Sequence, residues 1–454
     1  MALQTDVPGI DWPSIPGRRA AALMAMQFQL AQSQWLPWEE LRKSQFHQLA
    51  RVVHHAIESV PFYRGKLKVL RGTTDPAALE QVWDSLPILT RAEVQAAGTK
   101  LHSSEVPKSH GQVHTLLTSG STGQPVQCLG TQITRFFWHC ITLRDHLWHK
   151  RDFSRKLAAI RYTDSAAAPP DGIFHNTWGP PVEELYESGP STLLTTDSTV
   201  SQQADWLRSH QPAYLIAYPS NIKSLARHFW KRDWHLPSLI HIRSFGEILE
   251  EEVRHLCAQA WEVPIIDCYS SQEVGYVALE CPDCPHTYHV QSECALVEIL
   301  DEDDKPCSTG EIGRVIVTPL HNAAMPLIRY DLGDYAEVAP PCRCGRGLPA
   351  LKRIVGRQRN MLTLPTGEQR WPGLGRGDVL ERLPEIHQFQ LAQVSLERIE
   401  VRLVQQQAFS VEQEHRIVDF IRHALGHPFD VQVVYVEQIA RSSNGKFEEF
   451  LSEL

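Results

Sequence analysis

The sequence predicts an α/β fold: a large N-terminal region of layered α/β subdomains, then a small, mobile α+β C-terminal domain. Three observations predict it. Between residues 155 and 320, short apolar runs alternate with helix-like stretches, the pattern of parallel strands covered by helices. After Arg357 the pattern becomes strand, amphipathic helix, strand, within about 100 residues, the size of a small domain. The run Thr118-Ser-Gly-Ser-Thr-Gly-Gln-Pro-Val126 sets two glycines and four hydroxyls between Thr118 and Gly123.

The elements follow in order. Residues 17–66 read as helical: Ala20 to Gln34 is rich in good helix formers, and Phe46, Leu49, Val52, Val53 and Ile57 recur at helical spacing. Pro61-Phe-Tyr63 ends that helix. Thr90 is an N-cap, with Glu93 completing a capping box. Leu157–Ile160, Tyr214–Ala217, Leu239–Ile242 and Pro264–Asp267 read as buried strands. Ser201–Ser209, Ser220–Lys231 and Glu250–Ala260 read as the helices between them. Ala295–Leu300 and Gly313–Thr318 read as antiparallel strands joined by the solvated turn Asp301-Glu-Asp-Asp304. In the tail, Glu397–Val404 and Val431–Val436 read as strands flanking the helix Val411–Leu425. The expected domains are 1–356, a large N-terminal domain, and 357–454, a small C-terminal domain.

Composition narrows the function. A length of 454 residues allows two or three domains. A net charge of -9 argues against a nucleic-acid or membrane-surface binder. No run of 18 apolar residues exists, so no membrane span is expected. Met1–Pro8 has no basic start leading into an apolar block, and a cytoplasmic location is the expectation. Disulfides are rare there, so the ten cysteines need another account. Cys128, Cys140, Cys257, Cys268 and Cys294 sit in apolar or mixed segments and read as buried small hydrophobes.

Four segments carry chemistry. In the first, residues 118–126, glycines let backbone N–H groups approach a ligand closely, and hydroxyls add donors for phosphate oxygens. This is not a P-loop, which needs Lys-Ser/Thr opening a helix; Pro125 forbids a helix at Gln124, so the loop should cover phosphates as a flap. The second, Asp267-Cys-Tyr-Ser-Ser-Gln-Glu-Val-Gly275, leaves a strand end, where open α/β sheets bind ligands. There Tyr269 offers a flat face for a nucleobase and Glu273 a carboxylate for Mg²⁺. The third joins Met325–Asp334 to Arg353–Arg357: Asp334 suits two ribose hydroxyls, and Arg357 a ribose or phosphate contact. The fourth, Arg441-Ser-Ser-Asn-Gly-Lys-Phe447, sets Lys446 beside a glycine turn, suited to charge developing on phosphate. Pocket side chains are expected from residues 135–180 and 214–276. The Trp-His pairs at 138–139 and 148–149 read as packing.

The order and spacing of these segments resemble the acyl-adenylate-forming enzymes, and within them the phenylacetate–CoA ligase and capsule-biosynthesis CapK-like branch. The likeness runs from Val53-His-His-Ala-Ile-Glu-Ser-Val-Pro-Phe-Tyr63 to Lys446. Its branch-specific stretches are that helix end, Ser85-Leu-Pro-Ile-Leu-Thr90, Glu311-Ile-Gly-Arg-Val-Ile-Val-Thr318 and Ala324-Met-Pro-Leu-Ile-Arg-Tyr330. The resemblance implies the acyl-adenylate-forming fold and an AMP-forming acid–thiol ligase. It would use ATP, Mg²⁺ and CoA on a small, aromatic carboxylic acid. It implies that Thr118, Ser119, Gly120, Ser121, Thr122 and Gly123 grip phosphates, and that Gly246 and Glu247 line the adenine and acyl sites. Tyr269, Ser270, Ser271 and Gln272 would face the nucleotide. Glu273 would hold Mg²⁺, Asp334 and Arg357 the ribose, and Lys446 would assist adenylation. A homodimer is the expected assembly. The sequence departs from the family at Gln124, where lysine is common, at Tyr269-Ser-Ser-Gln-Glu273, and at the hinge Gln358-Arg359-Asn360. The altered hinge keeps open an amine or carrier-protein acceptor. Gln124 and the altered Tyr269 segment keep open a degenerate nucleotide-binding protein.

Cys281-Pro-Asp-Cys284 and Cys342-Arg-Cys344 flank a predicted hairpin within residues 281–344, with His286 and His289 nearby. Paired, short-spaced cysteines suit a tetrahedral structural Zn²⁺ site. Similar proteins point to Cys281, His289, Cys342 and Cys344, with Cys284 the alternative to His289.

Overall fold

The residues between Arg18 and Ser33 favour helix, and they form one in the computed structural model. The model describes residues 3–67, 70, 75–117, 126–163, 171–357, 361–370, 386, 388–404, 407–439 and 449–454. A second helix, Trp38–Ser59, stops at Val60, just before Pro61. Its buried face carries Phe46, Leu49, Val53 and Ile57, the spacing of one helix stripe. Thr90 and Glu93 form the expected reciprocal box at the start of the Arg91–Ala97 helix: the Glu93 N–H donates to Thr90 Oγ1 (3.2 Å) and the Thr90 N–H donates to Glu93 Oε2 (2.9 Å).

Two large sheets organise residues 157–357. One has six strands in the spatial order Ile173–His175, Ser191–Thr195, Leu157–Arg161, Tyr214–Ala217, His241–Ser244 and Ile265–Ile266. Its pairs are parallel except at the Ile173–His175 edge, and helices Val200–His210, Pro219–Lys231 and Glu251–Trp261 intervene along the chain. The other has seven strands in the order Ala295–Leu300, Ile312–Pro319, Tyr330–Val338, Ala350–Arg357, Tyr288–Val290, Gly275–Glu280 and Cys268–Ser271. The strand expected at Leu239–Ile242 lies two residues later. Leu239 is taken up by a turn onto the Leu236 carbonyl (3.0 Å), and parallel pairing starts where His241 meets Tyr214.

By internal contacts the chain divides into two units, residues 1–249 with 256–355 and residues 250–255 with 356–454. In the second, Gln388–Ser395, Arg398–Val404, Asp430–Tyr435 and Phe450–Ser452 form a four-stranded sheet. The helix Val411–Leu425 packs Ile417, Ile421 and Leu425 into its core.

Three of the four branch-specific stretches meet in one core. Tyr63, Leu86, Leu89, Met325, Leu327, Ile328 and Tyr330 belong to a single buried cluster. The Tyr63 hydroxyl donates to the Pro326 carbonyl (3.0 Å) and accepts from the Ile328 N–H (3.1 Å). Arg329 is buried and donates to Glu298 through Nη2 (2.9 Å) and Nε (3.3 Å), and to the Asp84 carbonyl through Nη1 (3.0 Å). It thus pins the 324–330 segment to the stretch after residue 83. Removing one partner of such a pair strands the other charge in the interior. Arg329→Met should therefore destabilise the protein by about 3–5 kcal/mol, read as a lower midpoint in urea unfolding.

Candidate active site

A cavity of about 400 Å³ lies between the helix Gln132–Trp148 and the seven-stranded sheet. Thr134, Phe137, Trp138 and Ile141 line it. Their i, i+3, i+4, i+7 spacing is one helix face. The helix starts on a capping box, Thr131 with Thr134, so the residue that secures its first turn also faces the cavity. Gln272, Glu273, Val274, Gly275 and Tyr276 form another wall. Gly275 has φ +86°, open to glycine and costly for other residues. His321, Asn322, Cys294, Pro319 and Arg135 also line it, with His114, Leu116, Leu129 and Gly130 from the hairpin Val113–Leu117/Gln127–Thr131.

Two aromatic pairs shape the space. Phe137 stacks on His321 with ring centroids 3.7 Å apart and planes 7° from parallel. Burial pushes the His321 pKa down to about 4, so at neutral pH the ring is uncharged and its Nε2–H donates to the Glu293 carbonyl (2.9 Å). Trp138 packs on Tyr276 at 4.5 Å. The Tyr276 hydroxyl accepts from Arg243 Nη2 (2.9 Å) and bonds Thr142 Oγ1 (3.1 Å). Arg243 Nε in turn donates to Asp145 Oδ2 (2.7 Å), which also accepts from Arg151 Nη1 (2.8 Å). Burial opposes ionisation of Asp145, but the Arg151 and Arg243 guanidinium charges outweigh it and hold the carboxyl far below the usual range.

The predicted residues fall into three sets. The first is brought together. Glu273 lies on the cavity wall and pairs with Arg91 (Nη1···Oε1 3.4 Å), and the Tyr269 hydroxyl donates to Asp334 Oδ2 (2.7 Å). Tyr269 is 8% exposed, its ring packed in the sheet core rather than presented as an open face. Ser270 and Ser271 end the strand Cys268–Ser271 ahead of Gln272. The second set stands apart from the cavity lining: Gly246 has φ +77°, and Glu247 accepts from the Ser220 N–H (2.9 Å) at the start of the helix Pro219–Lys231. Arg357 belongs to neither set; its backbone ends the strand Ala350–Arg357. The third set lies outside the described residues: the loop Thr118–Gly123, the hinge Gln358-Arg359-Asn360, and Lys446.

Sequence reasoning missed Arg91, Cys294, His321 and Asn322. Cys294 packs against a core cluster, as expected, and also lines the cavity. Asn322 donates to the Leu129 carbonyl (2.8 Å) and accepts from the Ala324 N–H (3.0 Å) and the Met325 N–H (3.3 Å). Its place just before the Ala324–Tyr330 stretch was the available signal.

A second cluster joins Cys281, just after the strand Gly275–Glu280, and His289, on the strand Tyr288–Val290, to the Cys342–Cys344 loop. The metal-binding atoms of Cys281, His289, Cys342 and Cys344 all lie within 4.8 Å of one another. His289 Nδ1 lies 3.4 Å from the Leu348 carbonyl and Nε2 lies 3.2 Å from Cys344 Sγ. That carbonyl holds the Nδ1 proton and leaves Nε2 as a metal donor. Cys281 Sγ and Cys342 Sγ are 3.9 Å apart, close to the ~3.8 Å expected for two sulfurs at about 2.3 Å from a tetrahedral zinc. The donor set therefore fits zinc. Cys284 is outside this group of four.

Residues 378–453 match the CapK C-terminal domain family. The chain is 26% identical over 349 residues to a phenylacetate-coenzyme A ligase of Thermus thermophilus, covering 72% of this chain and 73% of that protein. It is 24% identical over 437 residues to a phenylacetate-coenzyme A ligase of Escherichia coli, covering 89% and 93%. Among solved structures it is similar to a 2-hydroxyisobutyryl-CoA ligase in complex with 2-HIB-AMP in the postadenylation state. That match has TM-score 0.69 and 19% identity, covering 93% of this chain and 92% of that one. The fold is that of the acyl-adenylate-forming ligases, as the motif order led one to expect.

Two outcomes follow from the geometry. Asp145→Ala strands Arg151 and Arg243 as buried charges and should cost about 3–5 kcal/mol, measured by chemical denaturation. Burial lowers the pKa values of His139, His241 and His321 from 6.5 to about 4. The unfolded chain then binds more protons between those values, so stability is full above pH 6.5 and falls as pH drops toward 4. A series of thermal melts from pH 7 to pH 4 reads this directly.

Proposed function

We propose that this homologue of the phenylacetate–CoA ligases activates a carboxylic acid and passes its acyl group to the thiol of CoA. The observation that carries the reading is the cavity itself. Apolar and aromatic on its helix side, it runs to Glu273 and to the segment leading from the bonded pair Tyr269 and Asp334. An acid seated there, with an aromatic acyl group against Phe137 and Trp138, has its carboxylate directed to a nucleotide beside that segment. The carboxylate oxygen attacks the α-phosphorus of ATP, and pyrophosphate leaves. The CoA thiol then attacks the acyl carbon, loses its proton, and AMP leaves with the phosphate oxygen.

Residue roles follow the chemistry. Glu273 supplies the oxygen donor that Mg²⁺ takes, and bound Mg²⁺ neutralises phosphate charge. Asp334 accepts the ribose hydroxyls, with Arg357 a further contact, and Thr118–Gly123 cover the β- and γ-phosphates. Lys446, on residues 357–454 acting as a lid, stabilises charge in the first step. Cys281, His289, Cys342 and Cys344 hold a structural Zn²⁺. The working assembly is a homodimer in the cytoplasm. The hinge sequence Gln358-Arg359-Asn360 favours one second reading, an amine or carrier-protein acceptor after the same adenylation.

Acid-dependent ATP–pyrophosphate exchange, run without CoA across aryl, arylacetic and aliphatic acids, tests adenylation. Exchange should be strongest with an aromatic acid, and Lys446→Ala should lower it roughly 100-fold. ATP binding with no exchange for any acid would defeat the reading. AMP release that depends on an amine rather than CoA would replace the acceptor.

A further inference from the structure

We propose that Arg346 is the charge-balancing partner of the metal centre formed by Cys281, His289, Cys342 and Cys344. This rests on the zinc reading above. Three thiolates and a neutral imidazole around a divalent zinc leave one net negative charge. Cys281 is 2% exposed and His289 fully buried, and an unbalanced charge in such a place is costly.

Arg346 is built to balance it. Its backbone N–H donates to Cys344 Sγ (3.5 Å), and Nη1 lies 3.9 Å from Cys281 Sγ. The guanidinium is held on both sides: its central carbon is 4.9 Å from the Trp35 ring centre and 4.7 Å from that of Trp148. Nε donates to Gln34 Oε1 (2.9 Å), and Nη1 donates to Asp283 Oδ2 (2.7 Å). The Arg346 side chain is 7% exposed, whereas Asp283 is 59% exposed. Solvent screens the aspartate, which leaves part of the arginine's positive charge to act on the sulfurs. The loop is anchored at the next residue. A Cβ on Gly347 would lie 1.8 Å from the Leu36 carbonyl oxygen, and the Gly347 N–H donates to the Gln34 carbonyl (2.9 Å). Arg343, between the two loop cysteines, is exposed and serves as an internal control.

The full-length zinc-loaded protein is titrated with a competing chromogenic chelator. Arg346→Met should weaken zinc about 10- to 100-fold, and Arg346→Lys should recover at least part of that loss. Asp283→Asn, which removes the arginine's competing anion, should leave affinity unchanged or raise it, and Arg343→Met should leave it unchanged. The Co²⁺-substituted protein should show thiolate-to-cobalt charge transfer in every variant that binds. Wild type that takes up no zinc would remove the metal reading and this inference with it. Wild type that binds one zinc, with Arg346→Met within twofold of it, would overturn the role of Arg346 alone. Equal losses in the Met and Lys variants would also overturn it, because packing between Trp35 and Trp148 would then explain the effect.

Discussion

The buried carboxylate of Asp145 is the constraint on which the cavity depends. It lies on the helix Gln132–Trp148 with no solvent exposure, and an isolated ion there would be prohibitive. Arg151 and Arg243 make it tolerable, and each bond also fixes geometry. Arg243 comes from the parallel strand His241–Ser244, so the charge ties the helix to the six-stranded sheet. The same guanidinium reaches Tyr276 on the seven-stranded sheet. One ion triad therefore sets the relative positions of the helix face, the parallel sheet and the strand that wall the cavity. The pairing contributes specificity of arrangement more than net stability, since buried ion pairs barely offset their desolvation.

The 324–330 segment receives similar treatment from the other side. Asn322 binds the hairpin strand Gln127–Thr131 through the Leu129 carbonyl. Tyr63 satisfies backbone groups at Pro326 and Ile328, and Arg329 joins Glu298 to the Asp84 carbonyl. Residues from four distant parts of the chain thus meet where backbone polar groups would otherwise be buried without partners. That explains why Pro-Phe-Tyr63, the stretch from Ser85 and Ala324–Tyr330 travel together as sequence signals. They are three sides of one packed unit.

The cysteine cluster sits on the same framework. Its Cys342–Cys344 loop docks on residues 34–36 and on Trp148, the last residue of the cavity helix. Arg144, one turn earlier, places its guanidinium over Trp148 and bonds Glu293 (2.8 Å). The cluster and the cavity therefore share a helix, while their chemistry stays separate.

Periodicity and turn chemistry made the fold legible in the chain. The strand–helix alternation, the Thr90–Glu93 box and the antiparallel pair around residues 295–319 are local facts, fixed by side-chain spacing and capping. Motif order made the fold family legible for the same reason: each motif is a short stretch. Cavity residues were only half legible. Gln272 and Glu273 were marked by their motif, but Cys294, His321 and Asn322, and Arg91 that pairs with Glu273, are isolated polar or small residues with no spacing rule to identify them. Tyr269 was read as an open aromatic face, and packing of the sheet closes over its ring. The resemblance favoured His289 over Cys284, and the tertiary structure groups the same four residues because it brings those ligand atoms within reach. Sequence by itself determined which elements form and in what order, since those are set within a few residues. Tertiary structure alone decided which side chains share the cavity and the cluster, since that depends on distances between residues far apart along the chain.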